Sequence, residues 1–302
     1  MSDRQPLISI IMAVYNGKAF VSETIASVLA QTYLNWEYWI VDDGSTDGTA
    51  ELLLQAADDH PDRIHYLQHE RHQNRGLCAS RNLALSRARG SYISIVDADD
   101  VWYPEKLAEQ VTIAAKFPQA GLIYGRSQYW NSWSTDSESH SADYVPELVP
   151  GERLYEPPEL LVLNYPFGPY GSPCPSDLLI SRELFVSVGG FEQSFDSVQS
   201  QWEDLAFLAK LYLAAPVYVS DCCWDRYRIH PNSMWATGER TGTAEQGRRM
   251  FFDWAREYFL SQNLKNSEVW RLFRRRTFRY RHPVIYSLRE AAGRITRHFF
   301  DR

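Results

Sequence analysis

Residues 92–100 read YISIVDADD, a short apolar run that ends in three acids. Residues 92–96 are predicted to form a strand. Asp97 and Asp99 follow it two positions apart, so their carboxylates point to the same side and can together hold a hard divalent cation. The alternative is a solvated acidic turn that also caps the following helix.

Polar residues also follow two apolar runs that lie earlier in the chain. Residues 7–13, LISIIMA, are an almost continuous apolar run, typical of a strand buried on both faces, and Asn16 lies just beyond it. Residues 36–41, WEYWIV, form the next predicted strand, which runs into Asp42 and Asp43. Because ligands bind at the carboxyl ends of the strands in open α/β sheets, this rim is the predicted binding site.

Helical patterns separate these strands. They cover residues 21–31, 47–57, 77–89 and 104–117, and further strands are predicted over residues 64–68 and 122–125. The alternation predicts an α/β fold with a mostly parallel central sheet flanked by helices. Residues 127–175 are polar, aromatic and rich in proline, which predicts loops. Helical periodicity returns over residues 202–213 and from residue 244 onward.

Taken in order, several of these pieces resemble the inverting family 2 glycosyltransferases, which have the GT-A fold. The matching segments are SIIMAVYN (9–16), SVLAQT (27–32), VDDGSTD (41–47), NRG (74–76), ASRN (79–82), DADD (97–100) and PEKL (104–107). The resemblance implies a GT-A type, Rossmann-like α/β domain with a C-terminal helical extension. Its predicted parts are a nucleotide-sugar-binding half at residues 1–125, an acceptor-binding and catalytic half at 126–243, and a basic helical extension at 244–302.

The resemblance implies a pocket for the nucleotide base in the first half. Residues 13–15, from Ala13 to Tyr15, would line this pocket through backbone groups. Asp43, with Asp42 beside it, would accept a hydrogen bond from the base of a uridine-type nucleotide. A carboxylate suits that role, since it only accepts and the imide N–H of a pyrimidine donates.

The same resemblance implies a metal site beyond the 92–96 strand. Asp97 would reach the ribose or the metal, and Asp99 would be the principal ligand of Mn²⁺ or Mg²⁺. Such an ion would serve a diphosphate leaving group, whose negative charge grows as its bond to the sugar breaks. Arg81 would either approach the nucleotide or pair with one of the nearby acids. His230, in the segment YRIHP (227–231), would either approach the metal and diphosphate or have a structural role.

The second half matches the family more loosely. SRELF (181–185) and VGGF (188–191) resemble its acceptor-side segment, and WEDL (202–205) resembles its acidic motif. In the family the second acid of this motif deprotonates the attacking hydroxyl, so Asp204 would be the catalytic base. The alternative is that Glu203 and Asp204 are only the exposed first turn of a helix, where the helix dipole favours acids.

The distribution of charge limits the classes of partner. A formal net charge of −7 and a pI near 5.7 argue against nucleic-acid binding, which needs Lys and Arg clustered over the binding face. Residues 271–302, however, contain ten arginines against Glu290 and Asp301, a net of +8, so residues 1–270 carry −15. This tail either lies on an anionic membrane surface or pairs with the acidic body.

Two further patterns bear on location. The four cysteines, Cys78, Cys174, Cys222 and Cys223, have no C-x-x-C spacing and are predicted to be reduced thiols. The N-terminus, MSDRQPLISIIMAVYNG, lacks the apolar region and cleavage site of a signal peptide. We therefore expect a cytoplasmic protein, placed at the inner face of the membrane if the tail binds lipid.

The motifs of several other enzyme classes are absent from the sequence. There is no G-x-x-x-x-G-K-[ST] loop, no G-x-G-x-x-G after the first strand and no H-E-x-x-H. The resemblance implies an inverting, metal-dependent hexosyltransferase that moves a sugar from a nucleoside-diphosphate sugar, with UDP favoured, to a hydroxyl of a saccharide or lipid-linked saccharide. Its expected setting is polysaccharide or glycolipid biosynthesis. The alternative is a non-catalytic nucleotide-binding scaffold subunit of a cell-surface polysaccharide assembly.

Overall fold

The apolar runs predicted as strands form the centre of the sheet. The computed structural model describes residues 5–134, 141–199 and 201–281. Within them the strands are β1 (Ile8–Val14), β2 (Trp36–Asp42), β3 (Ile64–Gln68), β4 (Tyr92–Ile95), β5 (Val101–Trp102), β6 (Leu122–Trp130), β7 (Arg153–Tyr155), β8 (Leu179–Ser181) and β9 (Val217–Arg228). Their order is β3-β2-β1-β4-β8-β6-β9-β5, and β7 pairs with β9.

The sheet is parallel where the binding rim was predicted and mixed beyond it. β1 pairs in parallel with β2 and β4, and β2 pairs in parallel with β3. β8 then runs antiparallel to both β4 and β6, whereas β6 and β9 are parallel. Strands from both predicted halves therefore share one sheet, and the division at residue 125 falls within β6.

Helices cover both faces of this sheet. Those of the described residues are α1 (Val21–Leu29), α2 (Thr49–Asp59), α3 (Leu77–Arg87), α4 (Lys106–Lys116), α5 (Glu159–Leu163), α6 (Arg182–Ser187), α7 (Glu203–Ala214), α8 (Met234–Thr241), α9 (Thr243–Ser261) and α10 (Glu268–Arg281). Ile10 and Met12 of β1 pack in a cluster with residues of α1, α2 and α4, and Ile11 packs in a second cluster with residues of α3, α6 and α7. Because successive side chains of a strand point to opposite faces, both sides of β1 are buried, which accounts for its almost continuous apolar sequence. The one polar residue, Ser9, donates its hydroxyl to Glu37.

The predicted α/β architecture is confirmed, and one local prediction was wrong. Residues 127–175 were predicted to be loops, but residues 127–130 continue β6 and pair with residues 225–228 of β9, and β7 lies in the same range. The pairing has register shifts near Gly125, where an added Cβ would collide with the carbonyl oxygen of Cys222. This partner lies almost a hundred residues away, so local composition could not indicate the strand.

The C-terminal extension is helical, as predicted from residue 244. α9 and the described part of α10 bury Phe251, Phe259 and Phe273 in the cluster that also contains Ile11. Residues 282–302, which carry part of the basic tail, lie outside the described residues. No helix in the described part of the chain combines the length and apolar character needed to cross a membrane.

Candidate active site

Three neighbouring parallel strands end at one edge of the sheet. Val14 of β1 lies beside Asp42 of β2, and Ile11 of β1 lies beside Ile95 of β4. The segments that follow stay in register, since the amide of Asp43 donates to the carbonyl oxygen of Val14 at 2.8 Å. The predicted rim therefore exists, with Asn16, Asp43 and Asp97 just beyond three adjacent strands.

The turn after β1 is joined to the loop after β2. Asn16 has a positive φ of 54°, and its Oδ1 accepts the amide of Thr46 at 2.8 Å. Its own amide donates to Ser45 Oγ at 2.9 Å. Ala13 is almost fully buried, whereas Tyr15 is 54% exposed beside this turn. The turn that follows residues 13–15 is thus held by two hydrogen bonds and carries an exposed aromatic ring, and its contact with a base stays a prediction.

The two acids after β2 have internal partners. Asp43 is buried and accepts the amides of Arg75 at 2.7 Å and Gly76 at 2.9 Å, which orders the residues before α3. Asp42 is fully buried and bonds the amide of Ser45 and the Nε2 atom of His72, the latter at 2.7 Å. Asp42 is therefore a framework residue of the loop. Contact with a nucleotide stays a prediction for Asp43, with Asp42 beside it.

The acidic loop after β4 is held from several directions. Asp100 is fully buried, and its carboxylate accepts Ser176 Oγ at 2.5 Å and the amide of Arg228 at 3.1 Å. Asp99 is partly exposed, and its Oδ2 lies 2.9 Å from Nε2 of His230. Asp97 accepts a hydrogen bond from Arg81 Nη2 at 2.5 Å. The loop thus presents Asp99 toward solvent and anchors Asp100 in the core.

Arg81 joins this loop to the helix that bears the predicted base. Its side chain is 2% exposed, and its other terminal nitrogen, Nη1, donates to Glu203 Oε1 at 3.0 Å. The sequence left open whether Arg81 approaches the nucleotide or pairs with nearby acids, and its buried position shows the pairing. Contact of Arg81 with a nucleotide stays a prediction.

Glu203 and Asp204 form the first turn of α7, next to this ion-pair network. Burial and the adjacent Asp204 charge raise the pKa of Glu203 to about 8 in spite of Arg81. Burial also raises the pKa of Asp204, which the amide of Leu205 and the guanidinium of Arg81 oppose. Because the charge of Asp97 acts on both acids, the end of β4 and the start of α7 share one electrostatic environment.

The residues predicted to hold a metal are only partly assembled. Asp99 and His230 are in direct contact, whereas Asp97 is turned to Arg81. No group of three His, Cys, Asp or Glu side chains within the described residues is arranged to hold an ion. The types of side chain present nevertheless fit Mn²⁺ or Mg²⁺, because such ions are commonly bound by one or two carboxylates together with substrate phosphates. The buried Nδ1 of His230 has no hydrogen-bond partner, so the second nitrogen of this ring is not satisfied by the protein.

Arg228 is a site residue that the sequence analysis missed. Its Nε donates to the carbonyl oxygen of Asp99 at 2.7 Å, and its Nη2 lies 2.5 Å from Glu23. The guanidinium also lies over the ring of Trp130, at 4.5 Å from the centroid. Arg228 precedes His230 by two positions, the spacing that puts two extended residues on one side, and this was the available signal.

Comparison with known families and proteins gives a consistent result. A sequence model of glycosyl transferase family 2 matches residues 9–188. The putative glycosyltransferase EpsE of Bacillus subtilis is 42% identical over 111 residues, 37% of this chain and 39% of that protein. An uncharacterized glycosyltransferase of Rickettsia prowazekii is 33% identical over 225 residues, 74% of this chain and 64% of that protein. The chain thus spans well under the full length of these relatives.

The name of a third relative states a sugar donor and an acceptor. It is the UDP-Glc:alpha-D-GlcNAc-diphosphoundecaprenol beta-1,3-glucosyltransferase WfgD of Escherichia coli, which is 38% identical over 126 residues, 42% of this chain and 47% of that protein.

Solved structures establish the fold as GT-A. The Staphylococcus aureus TarS fragment 1–349 in complex with UDP-GlcNAc matches 81% of this chain and 65% of that chain, with a TM-score of 0.60 and 20% identity. The mannosyltransferase PcManGT of Pyrobaculum calidifontis in complex with GDP-Man and Mn²⁺ matches 84% of this chain and 65% of that chain, with a TM-score of 0.58 and 20% identity.

Proposed function

The chain belongs to glycosyl transferase family 2, and we propose that it transfers a sugar, with inversion, from a nucleoside-diphosphate sugar to a hydroxyl acceptor. The observation that carries this proposal is the bridge formed by Arg81 between Asp97, after β4, and Glu203, at the start of α7. The bridge brings the acids of the donor side next to Asp204. A leaving-group site and a base are the two elements that direct displacement at an anomeric carbon requires.

The donor is proposed to be a UDP-sugar bound along the rim. Asp43 and residues 13–15 would contact the base, and Asp99 with His230 would hold Mn²⁺ or Mg²⁺. When bound, such an ion supplies positive charge to the departing diphosphate. The proposal is supported by the UDP-GlcNAc bound to TarS and by the GDP-Man and Mn²⁺ bound to PcManGT, two proteins of the same fold.

Asp204 is proposed to remove the proton from the acceptor hydroxyl. Its raised pKa makes its carboxylate a stronger base than an ordinary aspartate, which favours proton transfer from an alcohol. Attack from the face opposite the leaving group then inverts the anomeric centre. The name of WfgD supports a lipid-linked saccharide as the acceptor class.

Calorimetry with UDP, with and without Mn²⁺, tests the donor site through Asp99. We expect Asp99→Asn to weaken the Mn²⁺-dependent binding of UDP by about 10–100-fold or more. Losses of that size follow mutation of residues that only hydrogen-bond to a metal ligand, and Asp99 would itself be a ligand. Asp58→Asn, an exposed acid at the end of α2, is the matched control and should bind like the unaltered protein. Equal Mn²⁺ dependence in both variants would refute the metal role of Asp99.

The rival proposal of a non-catalytic scaffold subunit predicts a different outcome. A scaffold would bind UDP without turning over any nucleotide sugar, whereas an enzyme hydrolyses its donor slowly even without acceptor. A screen of nucleotide sugars by thermal shift, followed by donor hydrolysis with the donor that stabilises most, separates the two. Binding without hydrolysis or transfer would favour the scaffold.

Membrane association is proposed through α10. Arg274 and Arg275 are exposed, and no ion pair joins them to an acid of the described residues. Arg276 donates to the carbonyl oxygen of Gly168, and Arg271 pairs with Glu268 within the helix. This arrangement favours an anionic lipid surface over docking to the acidic body as the partner of the basic face.

Vesicle sedimentation tests this surface. Each basic residue near an anionic surface contributes about 1 kcal/mol, so Arg274→Gln/Arg275→Gln should weaken binding to phosphatidylserine vesicles by roughly 30-fold. Arg249→Gln/Arg256→Gln removes the same charge from α9, where each arginine pairs with a glutamate, and should have a smaller effect. Equal losses of vesicle binding in the two double variants, or binding that does not weaken as salt is added, would contradict the proposal.

A further inference from the structure

The segment that leads into α7 lies along the C-terminal helices. Phe195 contacts the ring of Trp254 in α9, with 6.3 Å between centroids, and Ser197 Oγ lies 3.9 Å from the sulfur of Met250. Thr243 Oγ1, at the start of α9, lies 3.4 Å from Gln199 Oε1. The path of the chain toward Glu203 and Asp204 is therefore set by α9, although the family match ends at residue 188.

Gln201 is seated in a notch made by two helical glycines. It is 6% exposed, and its Nε2 donates to the carbonyl oxygen of Met234 at 2.8 Å. A Cβ on Gly247 of α9 would lie 2.5 Å from Gln201 Cβ and 2.8 Å from its carbonyl oxygen. A Cβ on Gly238 of α8 would lie 2.6 Å from the amide end of the same side chain. Glycine at both positions lets α8 and α9 lie this close to Gln201.

Trp202 connects this notch to the acids. Its backbone has a positive φ of 70°, an unfavourable conformation for a bulky residue that persists only where the surroundings impose it. Its ring contacts Phe251 of α9 at 5.5 Å and Tyr165 at 5.6 Å, measured between centroids. Glu203 follows directly and reaches Arg81.

We propose that Gln201 is a positioning residue, and that the notch of Gly238 and Gly247 sets the first turn of α7 so that Glu203 meets Arg81 and Asp204 faces the acceptor. The inference rests on the proposed function for the role of Asp204. It assigns to the C-terminal helices a part in catalysis that does not involve contact with substrate. A shift of the Gln201 backbone would then misalign the base and leave the donor rim intact.

Gly247→Ala tests the notch. In the interior of a helix this change ordinarily stabilises, because alanine is the better helix former. Here the new methyl group meets the backbone of Gln201, which must move. We expect kcat for transfer to fall at least tenfold, while the dissociation constant of UDP in Mn²⁺ changes less than twofold.

Two variants and a thermal melt control for damage to the fold. Gln246→Ala also places an alanine in this turn of α9, on its exposed face, and should keep full activity. Gly238→Ala meets only the far end of the Gln201 side chain and not its backbone, so it should lower kcat less than Gly247→Ala does. Unaltered kcat in Gly247→Ala, or a loss of kcat matched by a loss of UDP binding, would overturn the inference.

A second readout does not depend on transfer. Carboxyl ¹³C NMR follows the pKa of Glu203, which should rise in Gly247→Ala because the acid is drawn away from the Arg81 guanidinium. An unchanged pKa would refute the positioning role whatever the activity. Lack of transfer by the unaltered protein with every donor would instead refute the proposed function.

Discussion

Asp204→Asn should lower kcat for sugar transfer by about 10²–10⁴-fold, the usual contribution of a general base. The amide has nearly the same size and can keep the contact with the amide of Leu205, but it cannot accept a proton from the acceptor hydroxyl. Binding of UDP in Mn²⁺ should not change, because the donor contacts lie on the rim beyond β1, β2 and β4. Steady-state kinetics and calorimetry on the same preparation measure both quantities.

The pH dependence of the transfer rate also tests the role of Asp204 as the base. Burial raises the pKa of Asp204, so the carboxylate is fully available only above that raised value, and the rate should fall with decreasing pH at a point above the ordinary aspartate value of about 4. This acidic limb should be absent from the residual activity of Asp204→Asn. Glu203→Gln, which keeps a hydrogen-bonding partner for Arg81, should retain the limb. Loss of the limb in Glu203→Gln alone would make Glu203 the base instead.

The parts of the fold that could be predicted are those with a local cause. The runs at residues 7–13 and 36–41 are apolar because helices cover both faces of the sheet, and Asn16 and Asp43 are polar because they follow the strand ends. β3 was predicted with its observed bounds, and α3 begins at Leu77 as predicted. Burial pattern and strand ends therefore predicted the position of the rim.

The arrangement of partners on the rim could not be predicted in the same way. The bridge from Arg81 to Glu203 joins residues 122 positions apart, and nothing in either segment indicates the other. The antiparallel strand β8 lies between β4 and β6 because chain from the second half returns to the sheet, which periodicity does not reveal. The sequence placed Asp42 beside Asp43 without indicating partners of its own, yet Asp42 is fully buried and bonds Ser45 and His72.

The bridge itself should be the most sensitive point of the fold. Arg81→Met keeps a long side chain but removes the guanidinium that Asp97 and Glu203 share. Taking one partner from a buried ion pair leaves uncompensated buried charge, and we expect the free energy of unfolding to drop by about 3–5 kcal/mol. Urea unfolding followed by tryptophan fluorescence measures the loss.

The loss should depend on pH in a direction that identifies its cause. Glu203 has a pKa of about 8 in the folded protein against an ordinary 4.5, so folding favours its protonated form and stability declines as pH rises through this window. Below about pH 7 Glu203 is protonated in both folded proteins and adds nothing to the difference between them. Without Arg81 its pKa rises further, so the deficit of Arg81→Met relative to the unaltered protein should grow from about pH 7 to about pH 9. Arg89→Met is the control, because Arg89 is largely exposed and pairs with Glu37 away from Asp97 and Glu203. If the deficit of Arg81→Met is the same at both pH values, packing around the long side chain stabilises this region and the ion pairs do not. The bridge would then not be the feature that joins the two sides of the site.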